Sequence, residues 1–263
     1  MLAIAVGTAA VLLGRDDDST DERRAAVSDY IVQVNTTQQA LIVELESVSL
    51  AYRGLRLREK ADPKQLATLN DAQRTLRGLR SRLARLPVPV EARKLRRTIL
   101  ELIDLQVELA DEVSGMARYV PLQAAESRKL AAATETLRDE LAEATTGAAQ
   151  RVAFETYRTA LRASIARLEA ATAPAVLEPS RTGEIKRVSR LESLAQDLGE
   201  ALEDQDAENV DRLFPRFVQT SASTGTTKAE RAAVVAFNRR LSEIGKQRQA
   251  VQAERARLDV SLR

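Results

Sequence analysis

The chain contains no histidine, no cysteine and no tryptophan in 263 residues. Each absence removes a class of chemistry. Without histidine there is no side chain that ordinarily titrates near neutral pH, no Ser–His triad and no imidazole ligand for zinc. Di-iron bundles built on Glu-x-x-His pairs are excluded for the same reason. Without cysteine there are no disulfides, no thiolate nucleophile, no sulfur-ligated metal and no lipid-modified N-terminal cysteine. Aromatic residues make up only 3 % of the chain, so a core must be built from Leu, Ile, Val and Ala. The ten glycines and seven prolines fall mostly between periodic segments, as helix punctuation does. No glycine-rich phosphate loop is present, and no apolar/polar alternation bounded by turn pairs marks a strand. These exclusions point to a protein that is not an enzyme and has neither cofactor nor metal.

The residues that are present favour helices. Apolar residues account for 44 % and charged residues for 30 %, far too apolar a balance for a chain unable to bury a core. Ala, Leu, Arg and Glu dominate, and all are strong helix formers. Net charge is only +2, so the chain as a whole is no polyanion binder. Arginine outnumbers lysine 33 to 7, which together with the many alanines fits GC-rich bacterial coding.

Residues 2–13, LAIAVGTAAVLL, carry no charge, and Arg15, Asp16, Asp17 and Asp18 follow. The run is short of the roughly 20 apolar residues that span a bilayer. It lacks both the basic flank and the small-x-small cleavage site of a signal peptide. We read residues 1–14 as the remnant of a truncated membrane anchor or signal, and residues 15–22 as an acidic linker leading into solvent. A short buried or interfacial segment is the alternative.

From there the chain reads as successive helices. The first is expected from about Glu22 to Lys60, with the stripe Val27, Ile31, Val34, Gln38, Leu41, Leu45, Val48, Tyr52, Leu55. Its alternating steps of four and three give the about 3.5-residue repeat of coiled-coil packing. Asp62 and Pro63 suit the start of a second helix, which carries Leu66, Leu69, Leu76, Leu79, Leu83 and Leu86 and stops at Pro87. A third, from about Glu91 to Val120, has the stripe Leu95, Ile99, Leu102, Gln106, Leu109, Val113, Met116, Val120, and Pro121 is expected to close it. Leu130, Leu137, Leu141 and Ala144 mark a fourth, with Gly147 as a break or an absorbed residue. Phe154, Tyr157, Leu161, Ile165 and Leu168 mark a fifth. Residues 173–183, with Pro174 and Pro179, read as a loop. Val188, Leu191, Ala195, Leu198 and Leu202 mark a sixth helix, ending before Pro215. Residues 219–227, QTSASTGTT, read as a flexible linker ahead of a C-terminal helix over 228–263.

The segment Leu83-Ala84-Arg85-Leu86, a proline loop, a long helix and Tyr119-Val120-Pro121 is echoed by Ile165-Ala166-Arg167-Leu168, a longer proline loop, a long helix and Phe214-Pro215. Helices rich in Ala, Leu and Arg look alike by chance, and that is one reading of the echo; a duplication is the other, and it implies two similar helical units, 23–121 and 122–218, stacked end to end.

Two features stand out as candidate sites. Arg74, Arg77, Arg80, Arg82, Arg85, Arg93, Lys94, Arg96 and Arg97 are opposed within residues 74–97 only by Glu91, whereas Glu101, Asp104, Glu108, Asp111 and Glu112 follow without a basic residue between them. The second and third helices should therefore share a basic end. At about 1.5 Å per residue the first helix covers roughly 55 Å, and the second brings the chain most of the way back. The basic turn would then face an anionic membrane surface or a partner. A solvated face paired with nearby glutamates is the plainer reading. The second feature is Gln38 and Gln106, each the lone polar residue on its stripe. They are read as buried amides that set register, or as a pair that holds a ligand together with Tyr52. Asn35-Thr36-Thr37 matches a glycosylation acceptor, but its position inside a helical stripe argues against use. Glu108, Asp111 and Glu112 read as solvated charge. No aromatics interleave with the basic residues, so nucleic acid is not expected.

The expected fold is all-α, an elongated antiparallel bundle of six or seven helices with coiled-coil-like packing. In composition the chain resembles membrane-anchored or exported helical proteins of GC-rich bacteria. That likeness and the N-terminal run imply a non-enzymatic, membrane-tethered module with an extracytoplasmic body. It would bind another protein, or a second copy of itself, or act as a spacer. A sensory or ligand-binding bundle and a cytoplasmic coiled-coil scaffold are the alternatives.

Overall fold

The computed structural model describes residues 10–56, 63–222 and 226–261, with side-chain surroundings for 21–54, 63–222, 231 and 233–260. The chain is 92 % helical, with seven α-helices and no strand among the described residues. They are α1 (Ala10–Arg56), α2 (Pro63–Arg85), α3 (Arg93–Glu143), α4 (Gly147–Ala170), α5 (Glu178–Glu203), α6 (Ala207–Ala222) and α7 (Thr226–Ser261), with a 3₁₀ turn over Val90–Ala92. Pro63 opens α2, where its missing N–H costs nothing. Asp62, residues 1–9 of the apolar run and the side chain of Leu55 lie outside the described residues.

Contacts divide the chain into two compact units. One comprises Met1–Ala51, Ala67–Asp111 and Arg239–Arg263, the other Tyr52–Leu66 and Glu112–Asn238. This is not the sequential division expected at residues 121 and 122, because α1, α3 and α7 each contribute to both units.

Within the first unit, cross-helix pairs set the directions. Arg77 meets Asp111, Arg80 meets Asp104, and Arg96 donates to the Ala84 carbonyl. Residue numbers rise on α3 as they fall on α2, so the two run antiparallel. Lys94–Glu254, Gln247–Thr98 and Arg240–Glu108 set α7 antiparallel to α3 in the same way. Between these helices lie Val27, Val34, Leu41, Val48, Leu69, Leu76, Leu83, Leu95, Ile99, Leu102, Leu109, Ile244, Val251 and Leu258, all buried. The expected stripes are therefore the buried faces.

The second unit is built around Leu130, Leu137, Phe154, Tyr157, Leu161, Val188, Leu191, Leu198, Leu213 and Phe217. Arg158 on α4 reaches Glu192 and Gln196 on α5, and Arg151 reaches Glu203, which makes α4 and α5 antiparallel. Thr146 caps α4 by accepting from the Ala149 N–H at 3.2 Å.

Five expected boundaries are corrected. Residues 15–22 belong to α1, because Asp costs only a few tenths of a kcal/mol per residue in a helix that continues on both sides. Pro121 lies inside α3. It removes one hydrogen bond, while Met116, Ala117 and Tyr119 before it and Glu126 and Leu130 after it stay buried and outweigh that loss. The fourth expected helix is thus the C-terminal part of α3. The loop before α5 ends at Leu177, since Pro179 is tolerated in a first turn. The sixth expected helix breaks at 204–206, where Gln205 takes a left-handed φ of 56°. Asp206 then starts α6 by accepting from the Asn209 N–H at 3.1 Å, and Pro215 sits inside it. Finally, 219–222 are helical, as are 226 and 227. Thr220 and Ser221 donate to the carbonyls of Arg216 and Val218, so these small polar residues satisfy the helix from within.

Candidate functional site

The basic end of the first unit is formed by the last turns of α2, the 87–89 turn, the 3₁₀ turn and the first turns of α3. Five of the nine predicted basic residues are engaged. Arg74 pairs with Asp71 at 2.6 Å, and Lys94 with Glu254 at 2.9 Å. Arg77 holds Asp111 through two contacts of 2.8 and 3.0 Å. Arg80 holds Asp104 at 2.5 and 3.3 Å. Arg96 donates through Nη2 to the Ala84 carbonyl, bridging the two helices. The other four, Arg82, Arg85, Arg93 and Arg97, are exposed and have no partner among the described residues. Arg74, Arg77 and Arg80 of α2 are thus paired with aspartates, while the four nearer the turn stay solvated without a counter-ion among the described residues.

Two hollows flank that turn and share Val88. The larger, about 720 Å³, lies between Arg23, Ala26, Asp29, Tyr30 and Gln33 of α1 and residues 87–91. The return expected of α2 is therefore present: it brings the chain back to the level of Arg23. Tyr30 is 3 % exposed, and its hydroxyl has no hydrogen-bond partner. Burial pushes its pKa up, against the nearby charge of Arg96. The smaller hollow, about 310 Å³, is lined by Val88, Arg93, Arg96, Arg97, Leu100, Glu101 and Asp104. Both carboxylates are engaged, Asp104 by Arg80 and Glu101 by the Gln247 amide at 2.8 Å. The Arg96 Nε–H is buried and unpaired.

Sequence reasoning missed Tyr30 and Arg23. Tyr30 precedes Ile31 and follows Val27 by three, so it sits at the edge of the α1 stripe, where a long side chain can reach a neighbouring groove.

The two core glutamines do not pair. Gln106 is buried and its Oε1 accepts no hydrogen bond; Gln38 is half-buried. Tyr52 stacks on Phe237 with centroids 3.5 Å apart. Replacing Gln106 by leucine removes an unsatisfied buried carbonyl that costs about 1–3 kcal/mol. We expect Gln106→Leu to raise Tm by a few degrees in calorimetry, whereas a fall would reveal a partner for the amide.

The remaining candidates are occupied or enclosed. Glu108 pairs with Arg240 at 3.1 Å, Asp111 with Arg77, and Glu112 is also engaged. Asn35 is half-buried on α1, with Thr36 and Thr37 donating to helix carbonyls. No group of three or more acidic residues among the described residues is arranged to hold a metal ion.

Two buried carboxylates outside the predicted set matter for stability. Burial alone would raise Glu126, but hydrogen bonds from Lys129 and Arg167, at 2.9 and 2.8 Å, outweigh it and hold the pKa below the ordinary 4.5. Glu254 is lowered by the hydrogen bond from Arg257, with Lys94 adding to it and burial opposing. A carboxyl whose folded pKa is depressed stabilises the fold above its unfolded value and loses that contribution as pH falls through the folded value. Tm should therefore fall as pH drops below 4.5, and the double variant Glu126→Gln/Glu254→Gln should show a shallower acid limb in calorimetry from neutral pH downward. An unchanged limb would assign the acid sensitivity to other groups.

No protein-family model matches the chain, and neither a curated protein nor a solved structure is significantly similar to it.

Proposed function

We propose that the chain is a non-enzymatic, membrane-tethered helical module with its body outside the cytoplasm, which binds a partner protein or holds one at a set distance from the bilayer. The observation that carries this reading is the juxtaposition at the basic end. Arg82, Arg85, Arg93 and Arg97 lack counter-ions among the described residues, and the turn that bears them flanks α1 at Arg23. Arg23 follows the apolar run by ten residues, roughly 15 Å of helix, so a bilayer holding the run would lie on the side of these arginines, where anionic headgroups attract them. No helix among the described residues is long and apolar enough to cross a membrane. The tether rests on the composition of residues 2–13.

The interaction half of the proposal is supported by the outer face of α1. Val32, Val43 and Leu50 are 62, 59 and 60 % exposed. At about 100° per residue they fall within roughly 20° of one line along the helix. Exposed Thr36, Gln39 and Glu46 lie between them on the same face, so the strip is a mixed apolar and polar one, against which a helix of another protein, or of a second copy, would lie.

Protease treatment of intact cells and spheroplasts, with membrane fractionation, tests the proposal. The expected result is a membrane-associated protein cut only once the outer barrier is opened. A soluble protein protected until lysis would overturn it in favour of a cytoplasmic scaffold.

A further inference from the structure

We propose that the smaller hollow at the start of α3 is a binding site for a phosphate group, held by Arg93, Arg96 and Arg97. Its volume of about 310 Å³ is several times the roughly 30 Å³ share of one water, so a tetrahedral anion fits. The guanidinium groups of Arg93 and Arg97 have no partner among the described residues. The third is held in place: Arg96 Nη2 donates to the Ala84 carbonyl, while its Nε–H is buried without an acceptor. An unpaired buried donor carries its full desolvation cost, and an anionic oxygen is the acceptor that removes it most effectively.

The acidic lining cancels only part of this charge. Asp104 is paired with Arg80, while Glu101 accepts from the neutral Gln247 amide and keeps its charge, which leaves three guanidinium groups facing one uncompensated carboxylate. Arg93 is also the first residue of the 51-residue helix α3, whose backbone dipole favours an anion at this end. Across Val88, the Tyr30 hydroxyl is a second buried donor without a partner, near enough to Arg96 to feel its charge. The hollow thus combines an open concavity, a fixed guanidinium with one orphaned donor, and two free guanidinium groups. A phosphate in solution and a phospholipid headgroup share this chemistry. The site does not depend on the membrane tether, because a phosphate in solution can fill it wherever the protein resides.

The test uses the full-length protein. Inorganic phosphate and pyrophosphate are titrated calorimetrically, and co-sedimentation is measured with phosphatidylcholine vesicles, with and without phosphatidic acid. Arg93→Gln/Arg97→Gln changes two exposed residues in the hollow, and Arg82→Gln/Arg85→Gln removes the same charge outside it. Losing two charge-assisted contacts should weaken phosphate binding by about tenfold or more, and the outside pair should weaken it by less than about twofold. Binding in solution without preference for phosphatidic acid vesicles supports a free phosphate ligand, and preference for those vesicles supports a headgroup. Equal losses in the two double variants, or no binding to any of these probes, would overturn the site. Cell fractionation judges the tether separately, so failure of one leaves the other standing.

Discussion

Phe154→Ala is expected to cost about 3–5 kcal/mol, the largest loss from any single side chain discussed here. The ring is 2 % exposed. It meets Phe217 edge-on, with centroids 5.7 Å apart, and Phe217 meets Tyr157 the same way at 5.9 Å. With aromatics at only 3 % of the chain, these three rings supply bulk that the surrounding Leu and Val cannot replace. Truncation leaves a cavity between α4, α5 and α6 and removes the edge contact, worth about 0.5–1.5 kcal/mol by itself. At roughly 2–4 °C per kcal/mol for a body of this size, Tm should fall by about 10 °C. Phe154→Leu, which keeps most of the volume, should cost less than half as much. Urea unfolding followed by circular dichroism measures both, and a loss below about 1 kcal/mol for the alanine variant would show that the ring does not close the core.

Gly147→Ala should destabilise the protein, against the usual direction for a helical glycine. A Cβ at Gly147, the first residue of α4, would stand 2.4 Å from the Leu202 carbonyl oxygen and 3.3 Å from the Glu203 Cα. Both are backbone atoms of α5, so one helix must move, at a cost of about 1–3 kcal/mol. At Gly78, Gly183 and Gly245 an added methyl would meet nothing within 4 Å. Alanine there should gain about 0.5–1 kcal/mol each by restricting the unfolded chain and favouring the helix. The four variants, compared by urea midpoint at unchanged slope, give opposite signs. A stabilising Gly147→Ala would mean that α4 and α5 do not approach so closely at that end.

The buried faces were legible in the sequence because burial on a helix repeats with its pitch. Val27, Ile31, Val34, Leu41 and Val48 follow from spacing alone and all are buried. Helix ends were less legible wherever proline was taken as a stop. Pro121 and Pro215 each sit on a helix whose neighbouring positions, Tyr119 for one and Leu213 and Phe217 for the other, are buried, and one missing hydrogen bond loses to a face of packed side chains. The break at Asp204–Asp206 carried a sign that could have been used, since Asp206 stands three residues before Asn209 in a capping arrangement. The basic end was visible as composition. Which of its arginines are free was not, because that depends on carboxylates from other helices, such as Glu254 beside Lys94, far along the chain. Gln106 was legible as a buried amide; the lack of a donor to its Oε1 was not, since an absent donor leaves no trace in spacing.

The discontinuous first unit has a consequence for biosynthesis. Gln247 donates to the Thr98 carbonyl across 149 positions of chain, and α7 also supplies Ile244, Val251 and Leu258 to the core. A ribosome adding about 5–20 residues per second needs roughly seven to thirty seconds between making one side of that contact and making the other. Throughout that interval the apolar faces of α2 and α3 wait for α7, while residues 112–238 of the second unit emerge first. The unit that begins the chain is therefore the last to mature, and a nascent chain stalled before Arg239 would leave it open to chaperones and proteases while its neighbour was already complete.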